Sequence, residues 1–170
     1  MVDHVSEILA QWAAERPDLD AQPMAVFGRL SRAARRVDAE LAANFARHDL
    51  DAASFDVLAT LRRSGKPFAL TPKQLGESAM ITTGAVTQRL DKLEQRGLVR
   101  RTRRSEDGRG VLVQLTASGR RAVDSTLPDH LDTERRLLQA LTPRQQADLA
   151  RLLQILLAGL EHTDPFEGRS

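Results

Sequence analysis

The chain has 170 residues, enough for one domain with a substantial core or for a small domain carrying extra helices. It is 41% hydrophobic and 28% charged, with only 4% aromatics, so its propensities favour helix over sheet in an ordinary globular composition. The lack of cysteine excludes disulfides, thiol redox sensing and cysteine-ligated zinc or iron-sulfur centres, and the net charge of +2 says little about partners by itself. The pI of about 9.6 follows from a small arginine excess with no Cys or Tyr to titrate. Where the arginines fall therefore matters more than their sum.

The first segment carries early acids and no basic region ahead of an apolar run, and nowhere do 18 apolar residues follow one another. The expectation is neither a secretory signal nor a membrane span, and a cytoplasmic location. Val5, Ile8, Leu9 and Trp12 have helical spacing, which "ERPDLDAQP" at 15–23 ends with two prolines. From Met24 to Arg47 a second helix places Val26, Phe27, Leu30, Ala34, Val37, Leu41 and Phe45 on one stripe. At 1.5 Å per residue it runs about 36 Å, too long for a small globule to cover without another long element or another subunit.

"DAASFDVLATLRRSG" at 51–65 reads as a short helix with Asp51 as cap, Phe55, Leu58 and Leu61 inward, and Gly65 as terminator. Thr71, Pro72 and Gln74 form a capping arrangement for a compact helix over 71–79. The next helix spans 82–97, with Val86, Leu90 and Leu93 at i, i+4 and i+7 and Gly97 as the stop. The period then changes, and "LVRRT" and "VLVQLT" around a glycine-containing turn at 105–110 predict an antiparallel hairpin. From Ser118 the pattern is helical again, with Pro128 expected to bend or interrupt it. Thr142-Pro143-x-Gln145 repeats the capping grammar ahead of Leu149, Leu152, Leu153, Leu156, Leu157 and Leu160, a stripe too wide for a lone surface helix. Residues 162–170 read as a frayed, flexible tail.

The centre thus holds a short helix, a tight connection at Met80-Ile81, a second helix and a hairpin. That order matches a helix-turn-helix, whose second helix can enter the major groove. With Val86, Leu90 and Leu93 inward, its outer surface carries Thr82, Thr83, Thr87 and Gln88, with Lys92 a turn on. Hydroxyls and an amide suit base edges or phosphates, and Lys92 acts as a point charge. Taken alone this is also what any polar helix face looks like. The hairpin adds weight: "RGLVRRTRRSEDGRG" at 96–110 holds six arginines and two acids. Duplex phosphates would neutralise that local repulsion and release counterions, with Arg103 and Arg104 on the backbone. Arg109 at the tip suits a narrow minor groove, while Asp107 holds the turn or pairs with an arginine.

"FDVLATLRRSG", "LTPKQLGESAMITTGAVTQRLDKLEQRGLVRR" and "SEDGRGVLVQLTASGR" resemble the winged helix-turn-helix core of the MarR family of bacterial transcriptional regulators. The most specific features are Asp107-Gly108-Arg109 in the wing and the Leu115-Thr116-x-x-Gly119 that opens the next helix. The likeness runs from about Met24 to Leu160. It implies a mainly α fold with a small β-hairpin wing, and a homodimer whose N- and C-terminal helices interlock over a pseudo-palindromic double-stranded operator. The division expected is 1–50 for dimerisation, 51–116 for DNA binding, 117–161 for dimerisation and 162–170 as tail. Leu30, Val37, Leu149, Leu153, Leu156 and Leu160 would be buried against the partner.

The family resemblance also implies a repressor whose operator affinity is lowered by a small phenolic, purine or other aromatic anion. The extra N-terminal helix is similar to that of the urate-responsive subgroup, which pairs a tryptophan with an acid and a recognition-helix arginine. Trp12, Asp56 and Arg89 are the matching residues; the plain alternative is an Asp56–Arg89 structural pair with Trp12 as a packing anchor. No enzyme, cofactor or metal site is expected. His4, His48, His130 and His162 are scattered, and no nucleophile elbow, phosphate loop or dinucleotide glycine pattern occurs. Two alternatives are a nucleoid-type or architectural DNA-binding protein without an effector, and a helical protein-interaction module.

Overall fold

The computed structural model describes residues 3–80, 83–103 and 110–161. In chain order these form α1 (His4–Glu15), α2 (Pro23–Arg47), α3 (Ala52–Arg63), β1 (Ala69–Leu70), α4 (Pro72–Ser78), α5 (Thr83–Gln95), β2 (Val99–Arg103), β3 (Val111–Leu115), α6 (Ala117–Leu137) and α7 (Pro143–Glu161). The fold is mainly helical with a small antiparallel hairpin, as the patterning predicts. The chain divides into two compact units, Met1–Leu131 and Asp132–Ser170.

In the first unit the core is built where α3, α4 and α5 meet the sheet, from residues such as Val57, Leu58, Leu61, Leu75, Leu93 and Val113, all fully buried. Burying each such side chain contributes roughly 1.5–3 kcal/mol. The hairpin carries a third strand that period-2 reading missed, because β1 is two residues long and exists only through pairing: the sheet order is β1-β3-β2, with Ala69 opposite Gln114 and Leu70 opposite Val113. The β2–β3 register runs from Val99 opposite Leu115 to Arg103 opposite Val111.

Local chemistry explains the boundaries. Asp51 caps α3 by accepting the Ser54 N–H at 2.8 Å. Thr71 and Gln74 close a reciprocal capping box on α4. After α5, Gly97 takes the left-handed conformation at φ 67°, which ends the helix and turns the chain into β2. At the far side of the sheet, Thr116 Oγ1 accepts the Gly119 N–H at 3.0 Å and donates to the Gly97 carbonyl at 2.7 Å. A Cβ on Gly119 would lie 1.9 Å from the Leu98 carbonyl oxygen, so the Leu-Thr-x-x-Gly spacing is a packing requirement that brings α6 against the start of β2.

Pro128 does not interrupt α6, which is continuous from Ala117 to Leu137. Proline removes one backbone donor from the helix, and Val123 and Thr126 ahead of it are buried. α1 packs on α2 through Val5, which sits where a Cβ on Gly28 would come within 3.2 Å of its Cγ1. Arg29 reinforces that contact by donating to both Asp3 carboxylate oxygens at 2.8 and 2.9 Å.

In the second unit, Thr142 and Gln145 form the expected capping pair at the start of α7. Gln146 Nε2 donates to the carbonyls of Leu138 and Leu141 and so closes the turn out of α6. Leu149, Leu152, Ile155, Leu157 and Leu160 remain exposed, at 40–59%. Among the described residues, no helix is long and apolar enough to cross a membrane.

Candidate nucleic-acid interface

The short α4, the connection after Ser78 and the longer α5 form the helix-turn-helix, and among the described residues α3 and its cap hold it from behind by polar contacts. Arg63 donates to the Ser78 carbonyl at the end of α4. Asp56 accepts the Met80 N–H at 2.7 Å in the connection itself. Asp51 uses its second oxygen to pair with Arg89 of α5 at 3.1 Å. The C-terminal end of α5 is tied as well, by Arg96 to Asp49 at 2.7 Å, on the α2–α3 connection where Asp49 adopts φ 54°. Asp tolerates that left-handed backbone better than most residues.

With Val86, Leu90 and Leu93 buried, α5 turns Thr87, Gln88 and Lys92 outward, and all three are exposed. Asp91 lies on the same surface, one turn beyond Thr87 and Gln88. β2 runs from the end of this helix, and its Arg101 reaches back to it. Nη2 bonds Asp91 Oδ1 and Nη1 bonds Glu94 Oε2, each at 2.5 Å, while the Arg101 backbone N–H donates to Glu94 Oε1 at 2.9 Å. Asp91, followed by Glu94, raises the guanidinium pKa above its ordinary value against the opposing effect of burial. Arg100, on the other face of the strand, donates instead to the Gln114 side chain. The result is a helix presenting hydroxyl, amide and ammonium groups, flanked by a basic strand and braced from both sides.

The MarR family sequence model matches residues 48–110, the stretch that holds this arrangement. The chain is 42% identical over 149 residues to the HTH-type transcriptional regulator PecS of Dickeya dadantii, covering 88% of this chain and 90% of that protein. The chain belongs to the MarR family. Members among its relatives include the multiple antibiotic resistance protein MarR of Escherichia coli, 35% identical over 109 residues, 64% of this chain and 72% of that one. Among solved structures it is similar to Sco3205, a MarR family transcriptional regulator from Streptomyces coelicolor in complex with DNA. The TM-score there is 0.75 at 28% identity, over 84% of this chain and 89% of that one. It is also similar to BpsR of Bordetella bronchiseptica, whose DNA binding is regulated by 6-hydroxynicotinic acid, with TM-score 0.70 at 27% identity over 77% and 91% of the two chains. This MarR-family chain is accordingly a DNA-binding transcriptional regulator with a winged helix-turn-helix, in a family of regulators and not of enzymes.

Of the expected DNA contacts, Thr87, Gln88 and Lys92 share the outer surface of α5. Thr82, Arg104, Asp107 and Arg109 lie outside the described residues, as do the side chains of Thr83 and Arg103. Trp12 is 42% exposed on α1, and among the described residues no side-chain hydrogen bond, ion pair or ring contact joins it to Asp56 or Arg89. Arg89 takes Asp51 as its carboxylate, because Asp56 faces the Met80 amide. Leu30 is exposed and Val37 half-buried on α2; on α7, Leu149 and Leu160 are exposed while Leu153 and Leu156 are half-buried. Sequence reading missed Asp51 as the Arg89 partner, the hold of Asp56 on the turn, and Arg101. For Arg101 a signal existed: acids at i and i+3 on the outer face of a helix that leads into an arginine-rich strand.

Proposed function

We propose that this protein is a homodimeric repressor that binds a pseudo-palindromic operator, with α5 of each protomer in the major groove and each wing on the adjoining minor groove. The observation that carries the reading is the outer surface of α5, where Thr87, Gln88 and Lys92 are exposed together on a helix braced by ion pairs at its middle and just past its C-terminal end. Gln88 reads a base edge, Thr82, Thr83 and Thr87 serve base edges or phosphates, and Lys92 serves a phosphate. On the wing, Arg103 and Arg104 take phosphates, Arg109 enters the minor groove and Asp107 supports the turn. The dimer forms from residues 1–50 and 117–161 through Leu30, Val37, Leu149, Leu153, Leu156 and Leu160, and 51–116 forms the DNA-binding lobe. Apolar exposure on α7 supports this, since a contiguous apolar face of that kind marks an interaction surface.

The test is binding of the purified protein to the DNA just upstream of its own gene, against a scrambled duplex, by fluorescence anisotropy at about 0.15 M salt. A preference of roughly a thousandfold is expected; equal affinity for both duplexes would move the reading to an architectural role. Gln88→Ala should relax that preference more than it lowers affinity for scrambled DNA.

A small aromatic anion is the effector in this reading. Arg89 belongs to the reading helix and its charge is answered by a half-exposed carboxylate, Asp51, so an anionic ligand that competes for Arg89 would act directly on the placement of α5. BpsR, regulated by 6-hydroxynicotinic acid, is a structural relative for which the ligand class fits. Trp12 stacks on the ring, and Asp56 lies at the turn beside α5. Trp12 is the only tryptophan, so phenolates and purines should quench its fluorescence and release operator together. Failure of both across the panel removes the effector from the proposal while leaving the regulator.

A further inference from the structure

We infer that Arg101 is a positioning residue for DNA reading: it neutralises Asp91 and Glu94 on α5 and fixes that helix to wing strand β2, without itself taking a phosphate. The inference rests on α5 being the helix that enters the groove.

Two carboxylates on such a helix are a physical problem. Asp91 lies one turn beyond Thr87 and Gln88 on the surface turned to the polyanion, and juxtaposing like charges across an interface is strongly unfavourable. Arg101 resolves it within the protein. Both of its terminal nitrogens are committed, one to each carboxylate, and its backbone N–H holds the second oxygen of Glu94. A fork with two planar donors can serve two carboxylates at once, which an ammonium cannot do with the same fixed geometry. Main chain and side chain of one residue are thus held by consecutive turns of α5, so β2 leaves the helix in a set direction.

Alternation along β2 separates the arginines by role. Arg100 faces the opposite side of the strand and bonds Gln114, whereas Arg101 faces α5. The run of arginines that reads as one electrostatic footprint therefore includes a member spent internally. Its charge is always present, since an arginine paired in this way stays protonated across the range in which proteins fold.

The full-length protein is tested on a duplex enriched from a randomised pool by the unmodified chain, and on a scrambled duplex. Arg101→Gln should bind the enriched duplex roughly tenfold more weakly, because two carboxylates are uncovered beside DNA. Asp91→Asn and Glu94→Gln added to Arg101→Gln should restore affinity to within about threefold, because no charge then remains to repel phosphate. The slope of log affinity against log salt should match the unmodified protein in that triple variant, whereas a lost phosphate contact lowers it by about 1. A triple variant as weak as Arg101→Gln, with the lower slope, would show a direct phosphate contact and overturn the inference. So would Arg101→Gln binding as the unmodified protein does.

All three side chains are partly exposed, so the cluster contributes little to folding and the variants should melt near the unmodified protein. If Arg101→Gln nevertheless fails to fold, Arg101→Lys is read instead. It keeps the charge but not the fork, so scrambled DNA should be bound as before while preference for the enriched duplex drops severalfold. Unchanged preference would overturn the positioning role. If the pool yields no enriched duplex, sequence-specific reading fails by itself, and the same variants are compared on mixed-sequence DNA, where neutralisation still requires the loss and its rescue.

Discussion

Leucine behaves in opposite ways in the DNA-binding lobe and in α7. Leu58, Leu61, Leu75 and Leu93 are fully buried around α3, α4 and α5, whereas Leu152, Leu157 and Leu160 of α7 are more than half exposed. Both sets have helical spacing and both sit in well-capped helices, so neither composition nor local chemistry separates them. What differs is their exposure. The lobe surrounds its leucines with three helices and a sheet, while α7 carries its leucines on an exposed stripe. A lobe can be stable by itself; such a stripe is stabilised when a second surface removes it from water.

The sharpest way to break this contrast is to charge the stripe. Leu153→Asp with Leu156→Asp should leave the lobe folded and shift sedimentation from dimer to monomer, losing roughly 3–6 kcal/mol of association if both leucines are buried against a partner. An unmodified protein that sediments as a monomer at micromolar concentration would defeat the interface outright. In the lobe the corresponding change is the smallest possible addition. Gly119→Ala places a methyl group against the Leu98 carbonyl, and overpacking of backbone on backbone should cost roughly 1–3 kcal/mol or more, read as a lowered melting temperature with the dimer retained at low temperature. If Gly119→Ala melted with the unmodified protein, the close approach of α6 to β2 would not be a constraint on the fold.

How much of this is legible in the sequence depends on how far the deciding contact reaches. Caps at Asp51, Thr71 and Thr142 and the left-handed stop at Gly97 act over three or four residues, and their helices are predicted with accurate starts and ends. β1 is not legible, because two residues carry no periodicity and owe their conformation to Gln114 and Val113, more than forty positions on. Pro128 is only half legible: local chemistry says bend or interrupt, and the helix runs through it uninterrupted. At the site, the exposure of Thr87, Gln88 and Lys92 follows from a three-residue core stripe, so it is readable. The partner of Arg89 is not. Asp51 caps α3 and Asp56 lies on it, and only the fold shows that one faces Arg89 while the other holds the Met80 amide.

α1 offers the finest test of the contrast, since among the described residues it is attached by little: one buried side chain, Val5, and the bonds from Arg29 to Asp3 and Ser6. Arg29 above all, helped by Ser6, holds the Asp3 carboxyl well below the usual carboxylate range. A depressed folded-state pKa means that the bond contributes fully above the ordinary value of 3.8 and is lost only as pH falls below it, toward the lowered value. Asp3→Asn should therefore loosen α1 at neutral pH, with a red shift of Trp12 emission and faster amide hydrogen exchange along α1, while the melt of the lobe is unchanged. On acidification the unmodified protein should keep its native Trp12 emission below pH 3.8 and then converge on the variant. Identical Trp12 emission of the variant and the unmodified protein at neutral pH would mean that Val5 against Gly28, and not the charge pair, decides whether α1 stays docked.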